Sequence, residues 1–187
     1  MKPMKRKIFD TPHKNPFRPT KSFTNIALKK QEMNIILKQV KKSKGAVYGS
    51  TSVGKQSPYP FYKKPYTDID AVTRRPKRTA IKTERKLDNW ANQNQYYVEQ
   101  LTHDQGTTYR VINRGRGRDV VADFSHQKNF PTRTVDGVKY ETLPSRQRTI
   151  QKMIDDPNAE YRRQKDETNI AWVKRIREAK KHIGDKQ

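Results

Sequence analysis

The sequence predicts an α+β domain: a small mixed or antiparallel sheet flanked by helices, with a C-terminal helical segment and a basic N-terminal tail. Three observations predict it. Segments with strand alternation and segments with helical spacing follow one another from Asn25 to Thr142. Apolar residues are scarce, at 31% of 187, but most lie between Asn25 and Phe124, so a core can form there. Proline and basic residues fill the first 22 positions. The chain therefore divides into a tail over 1–22, an α/β domain over 23–142 and a helical segment over 143–187.

The tail comes first. Pro3, Pro12, Pro16 and Pro19 break any helix, and Lys5, Arg6 and Lys7 belong to a run of cations. Such a segment buries too little apolar surface to fold alone. It reads as an arm for nucleic-acid phosphates or as a tether into a larger assembly. Over 25–42, Met33, Ile36, Leu37 and Val40 recur at the spacing of one buried helix face, and Gly45 stops the helix. Ala46-Val47-Tyr48 is a short strand running into Gly49-Ser50, and Thr51–Lys55 opens a helix. Ser57–Pro65 is a Pro/Tyr-rich insertion.

Tyr66–Thr73 is the next strand. A helix starts at Pro76, a favoured first position, and runs to about Trp90. Tyr96–Thr102 and Thr107–Asn113 are strands joined by a turn at Asp104-Gln105-Gly106. Asn113–Arg118 is a basic, Gly-rich turn, and Asp119–Ser125 is a strand. Thr134–Thr142 is a hairpin about Asp136-Gly137. Leu143–Asp155 is helical, and a second helix from Pro157 carries Ile170, Val173 and Ile176.

Lys and Arg total 42 against 19 acidic residues, a net charge of +23. Such a surface attracts phosphate polyanions, RNA or DNA, in a salt-dependent way. No segment has the apolar run that crossing a membrane requires, and no apolar stretch follows the basic N-terminus as in a secretory signal. With no cysteine, disulfides and thiolate metal sites are excluded. These features suit the cytoplasm, or the inside of a virion for a structural component.

The candidate chemistry centres on Thr67-Asp68-Ile69-Asp70-Ala71-Val72. Alternation along a strand sends Asp68 and Asp70 to one face and Ile69 and Ala71 to the other. Adjacent carboxylates repel unless a cation or a shared proton relieves them, and Mg2+ (or Mn2+) favours carboxylate and phosphate oxygens. In Val120-Val121-Ala122-Asp123-Phe124, Asp123 interrupts an apolar run, and aspartate is a poor strand former. A shared metal site would explain it. Gly49, Ser50 and Thr51 offer backbone N–H groups and hydroxyls to phosphates. Arg114, Arg116 and Arg118 form a basic tip suited to phosphate contact. His126 lies just beyond Asp123, and Tyr59, Phe61, Tyr62 and Tyr66 are interleaved with Lys63 and Lys64 as a base-stacking loop would be.

The order strand, Gly49-Ser50, spacer, Asp68-Ile69-Asp70, then a lone strand Asp123 resembles the pattern of the polymerase-β-like nucleotidyltransferases. The resemblance covers about Ile35 to Ser125. It implies that Gly49 and Ser50 hold a nucleoside triphosphate and that Asp68 and Asp70 bind divalent metal. It further implies that Asp123 completes the site and helps activate an attacking hydroxyl. Tyr161-Arg162-Arg163-Gln164-Lys165-Asp166 is similar to a helix of the small stand-alone members, including AbiEii-type toxins, which implies a cleft role for Lys165 and Asp166. Seventeen residues separate Ser50 from Asp68, more than in compact members.

Two functions follow as expectations. One is metal-dependent transfer of a nucleotidyl group from a nucleoside triphosphate to a hydroxyl of RNA, transfer RNA included. The other is a non-catalytic nucleic-acid-binding or structural component of a virion or ribonucleoprotein, built on the same fold.

Overall fold

The computed structural model describes residues 9–10, 27–58, 66–103, 106–126 and 129–184. They fall into two compact units, one drawn from 1–45 and 67–128, the other from 46–66 and 129–187.

The first unit is a mixed sheet with helices α1 (Lys30–Lys42) and α3 (Pro76–Ala91). Its strands are β1 (Phe9–Asp10), β3 (Ile69–Thr73), β4 (Tyr96–His103), β5 (Gly106–Asn113) and β6 (Asp119–His126), in the spatial order β1-β4-β5-β6-β3. β4, β5 and β6 form an antiparallel meander. β3 joins β6 in parallel, and β1 joins β4 in parallel. The expected tail thus contributes an edge strand, with Phe9 beside Glu99 and Asp10 beside Gln100. The rest of it, Lys5, Arg6 and Lys7 included, lies outside the described residues, as do Tyr59, Phe61 and Tyr62.

β3 begins at Ile69, three residues later than alternation alone suggests. β6 carries a bulge: Ile112 of β5 pairs with Val120 and Val111 with Ala122, so Val121 is skipped. The parallel ladder then starts where β6 becomes regular, at Ile69 beside Ala122. Helix α1 begins at Lys30, not at residue 25, because the Glu32 carboxylate accepts the Lys29 N–H at 2.7 Å and closes the helix start. Past its end, Lys44 takes a left-handed φ of 53° and the Gly45 N–H donates to Val40 O. A side chain at Gly45 would meet Val72 O at 2.5 Å, so only glycine lets this turn lie against β3.

The buried Glu32 also ties the basic turn to the helix. Its other oxygen accepts the Tyr96 hydroxyl at 2.6 Å, and Arg116 donates to the carboxylate at 2.8 Å. Burial, reinforced by that bond to Glu32, raises the Tyr96 phenol well above its ordinary range.

The second unit contains β2 (Ala46–Val47), β7 (Thr132–Val135) and β8 (Val138–Glu141), in the order β2-β8-β7. Its helices are α2 (Gly49–Lys55), α4 (Leu143–Ile154) and α5 (Arg163–Gly184). The β7–β8 turn is Asp136-Gly137 as the sequence predicts, both at positive φ. Lys55 reaches Asp136 at 2.7 Å. Val53, Leu143, Ile150, Ile170, Val173 and Ile176 pack into one core, and Trp172 joins them.

Replacing Glu32 with Ala leaves Arg116 and Tyr96 facing a buried gap. Breaking a buried ion pair from one side costs about 3–5 kcal/mol, so denaturant unfolding should show a loss of that order. A loss below about 0.5 kcal/mol, the size of an ordinary surface substitution, would contradict the network.

Candidate active site

The register of four strands builds the site. Asp70 of β3 lies directly beside Asp123 of β6, Asp123 beside Arg110 of β5, and Arg110 beside Glu99 of β4. Residues opposite one another across a sheet share a face. Taken from β4 to β3, the result is a rung of acid, base, acid and acid across the first unit. The alternate residues Ile69, Ala71, Ala122 and Phe124 are fully buried and belong to the opposite face, where α3 packs across β4, β5 and β6. Asp68 precedes the strand by one residue and belongs, by alternation, with Asp70.

Arg110 holds the middle of the rung. Its Nε–H is shared between the two Asp123 oxygens at 3.2 and 3.3 Å. The Asp123 side chain is only 14% exposed and that of Arg110 24%. Burial pushes the Asp123 carboxyl from 3.8 up to about 6; Arg110 opposes the rise, and the charges of Asp68 and Glu99 add to it. Asp68 is therefore close enough to Asp123 for the two charges to interact.

Asp68, Asp70 and Asp123 thus share one region of the sheet. As placed, no group of three acidic or histidine side chains among the described residues forms an ion cage; the Asp123 oxygens face Arg110 instead. The donor set, carboxylate oxygens with an excess of negative charge, fits a hard divalent cation. Arg110 supplies the neutralising charge in this structure.

The glycine turn lies in the second unit. Gly49 has φ +73° and begins α2 directly after β2. Its backbone N–H donates to the buried Glu141 carboxylate, which also accepts from Ser145 Oγ at 3.1 Å. Burial raises Glu141 while these donors and Arg146 hold it down. A protein carboxylate thus takes the glycine N–H that the sequence offers to phosphate. Ser50 is exposed and Thr51 buried.

Lys165 is exposed on α5, whereas its neighbour Asp166 is fully buried and gripped by Arg162 through bonds of 2.6 and 3.0 Å. In the basic turn, Arg114 stacks on Tyr97 at 4.8 Å, Arg118 donates to the Tyr97 hydroxyl at 3.0 Å, and Arg116 binds Glu32.

Sequence reasoning missed Arg110, Glu99 and Glu141. Arg110 leaves a trace, a lone cation between Tyr109 and Val111 in an otherwise uncharged strand. Its pairing with Asp123 depends on a bulged register that no short motif encodes.

No protein-family model matches the sequence, and no curated protein matches it either. Among solved structures, the chain is similar to the Megavirus polyadenylate synthase, with a TM-score of 0.59 and 18% identity over 78% of this chain. It spans 31% of the length of that protein. A second similar structure is JHP933 from Helicobacter pylori, with a TM-score of 0.41 and 13% identity, covering 72% of this chain and 61% of that one. The first likeness shows that this chain shares its fold with part of that protein.

The Asp123 carboxyl should titrate near pH 6 in metal-free protein, as followed by 13C NMR of its side chain. Arg110→Gln should move that midpoint upward. A raised folded value means that the carboxyl favours the fold below about pH 4 and that this contribution is lost as pH rises through about 6. Asp123→Asn should flatten that part of the stability–pH curve. A midpoint near 4 in both proteins would contradict the geometry.

Proposed function

We propose that the chain is a nucleotidyltransferase that uses Mg2+ (or Mn2+) to move a nucleotidyl group from a nucleoside triphosphate to a hydroxyl of RNA. The observation that carries this is the pairing of Asp70 with Asp123, next to Asp68, on one rung of a nucleotidyltransferase-like fold. The likeness to a polyadenylate synthase supports the reading, and the net charge of +23 suits a polynucleotide acceptor.

Asp68, Asp70 and Asp123 would hold the cation, whose charge offsets that gathering on the phosphate oxygens. The acceptor oxygen forms a bond to the α-phosphorus as the α–β bridging bond breaks and pyrophosphate leaves. The hydroxyl proton passes to the Asp123 carboxylate. Burial of Asp123 favours proton uptake at its carboxylate. Arg110 balances the rung and keeps the Asp123 carboxyl from rising further. The resemblance would give the triphosphate to Gly49 and Ser50, and Thr51 would add a hydroxyl. Membership of the small stand-alone, AbiEii-like group, with Lys165 in the cleft, belongs to the same proposal, as do the phosphate contacts of Lys5, Arg6, Lys7, Arg114, Arg116 and Arg118.

A second reading has one specific observation in its favour. Glu141 takes the Gly49 N–H, which suits a non-catalytic nucleic-acid-binding or structural protein on the same fold. Incorporation of labelled nucleotide into an RNA oligonucleotide separates the two. Asp70→Asn should abolish metal-dependent incorporation, and Asp123→Asn should slow it by about 10²–10⁴, the usual worth of a positioned base. Turnover unchanged by Asp70→Asn refutes the enzyme reading, and no turnover by the unaltered chain with any of the four nucleotides favours the second.

A further inference from the structure

The first unit has a second concave surface that the carboxylate chemistry does not use. A cleft of about 640 Å³ lies along the first turns of α3. Arg74, Arg75, Lys77, Arg78, Lys82 and Arg85 line it, and no acidic side chain does. All six are exposed. Among the described residues, no salt bridge engages any of them.

The arrangement runs against helix electrostatics. The N-terminal end of a helix carries partial positive charge and favours acids. The first turn of α3 contains no acid and instead holds Lys77 and Arg78, directly after Arg74 and Arg75. Cations stacked there repel one another and the helix end. An anionic ligand relieves both repulsions.

The ligand is also extended. Arg78, Lys82 and Arg85 recur at the i, i+4, i+7 spacing of one helix face. From Lys77 to Arg85 the helix rises about 12 Å at 1.5 Å per residue. That length is enough for several cations to meet successive phosphates of one strand. Pro76, Ile81, half-buried Tyr109 and exposed His126 complete the lining, and an aromatic surface beside cations is what successive bases stack on. Tyr109 and Arg110 point to opposite faces of β5, so the cleft opens on the face opposite the carboxylate rung.

We infer that this cleft binds the sugar–phosphate backbone of a single-stranded polynucleotide, through Arg74, Arg78, Lys82 and Arg85. It stands independently of the proposed catalysis and holds for either functional reading.

The test uses the full chain and fluorescein-labelled single-stranded 12-mers, oligo(U) and oligo(dT), in an anisotropy titration from 50 to 300 mM KCl. A variant with Arg74, Arg78, Lys82 and Arg85 all changed to Gln should bind about tenfold or more weakly at 100 mM salt. The slope of log K against log salt should become shallower by about 3, at about 0.7 for each phosphate no longer neutralised. Gln31→Ala, exposed on α1 and outside the cleft, should bind as the unaltered chain does. Weakening on oligo(U) alone assigns RNA, and equal weakening on both assigns the shared backbone. Single variants Arg78→Gln and Arg85→Gln, each expected to remove about 0.7 from the slope, carry the test if the fourfold variant fails to fold by circular dichroism. Unchanged affinity and slope in folded variants overturn the inference. So does a fourfold variant impaired only in binding phosphatidylserine vesicles, which would make the cleft a membrane-docking surface, or only in binding inorganic triphosphate, which would make it a small-anion site.

Discussion

Parallel pairing of β3 with β6 governs the chemistry of the first unit, because in that register Asp70 lies beside Asp123 and the two cannot be separated without unmaking the sheet. Two carboxylates on neighbouring strands repel, and like charges directly opposite one another destabilise a sheet. Asp68 adds a third charge one residue before the strand. A fold that keeps such an arrangement needs positive charge within reach. Arg110 supplies it from β5, as the next residue along the same rung. Burial of Asp123 sharpens the conflict and raises the affinity of its carboxyl for a proton. The acids, their counter-ion and the raised proton affinity are thus one electrostatic unit, and none of its members can be understood alone.

The surrounding structure makes that unit possible. The bulge at Val121 sets where the β3 ladder can begin, and so which residues of β6 face it. Gly45 allows the end of α1 to approach Val72 more closely than a side chain would permit. Glu32 fastens the Arg116 turn and Tyr96 of β4 to the start of α1. The same fold leaves the opposite face of the sheet, beside α3, with a cationic cleft. Charge in the first unit is therefore sorted by face, with a mixed acid–base rung on one side and unopposed cations on the other.

Much of this was legible in the sequence, for physical reasons. Helical spacing of Ile36 and Val40 marks a buried face whatever its partner. Asp136-Gly137 favours positive φ at both positions, so its hairpin is a local decision. Asp123 stands out because a charge in an apolar strand needs compensation. What compensates it was not legible. Arg110 lies thirteen residues upstream in sequence, and its alignment depends on the bulge. The α1 start also escaped, because it is set by Glu32 reaching back to Lys29, in a site that Tyr96 and Arg116 complete from far along the chain. The edge strand Phe9–Asp10 shows no periodicity of its own; it exists because β4 offers an open side. Glu141 at the start of α2 was hidden for the same reason, since residues 49 and 141 meet only in the folded unit.

The proposal at the centre of this account is that Asp68, Asp70 and Asp123 act together on one cation, beside the counter-charge of Arg110. Paramagnetic broadening tests it most directly. In 15N-labelled protein titrated with substoichiometric Mn2+, the account predicts selective loss of amide signals from residues 68–70, 110 and 122–124, reversed by excess Mg2+ and absent in Asp70→Asn. Broadening centred elsewhere, or spread evenly over the exposed acids and unchanged in that variant, would contradict it.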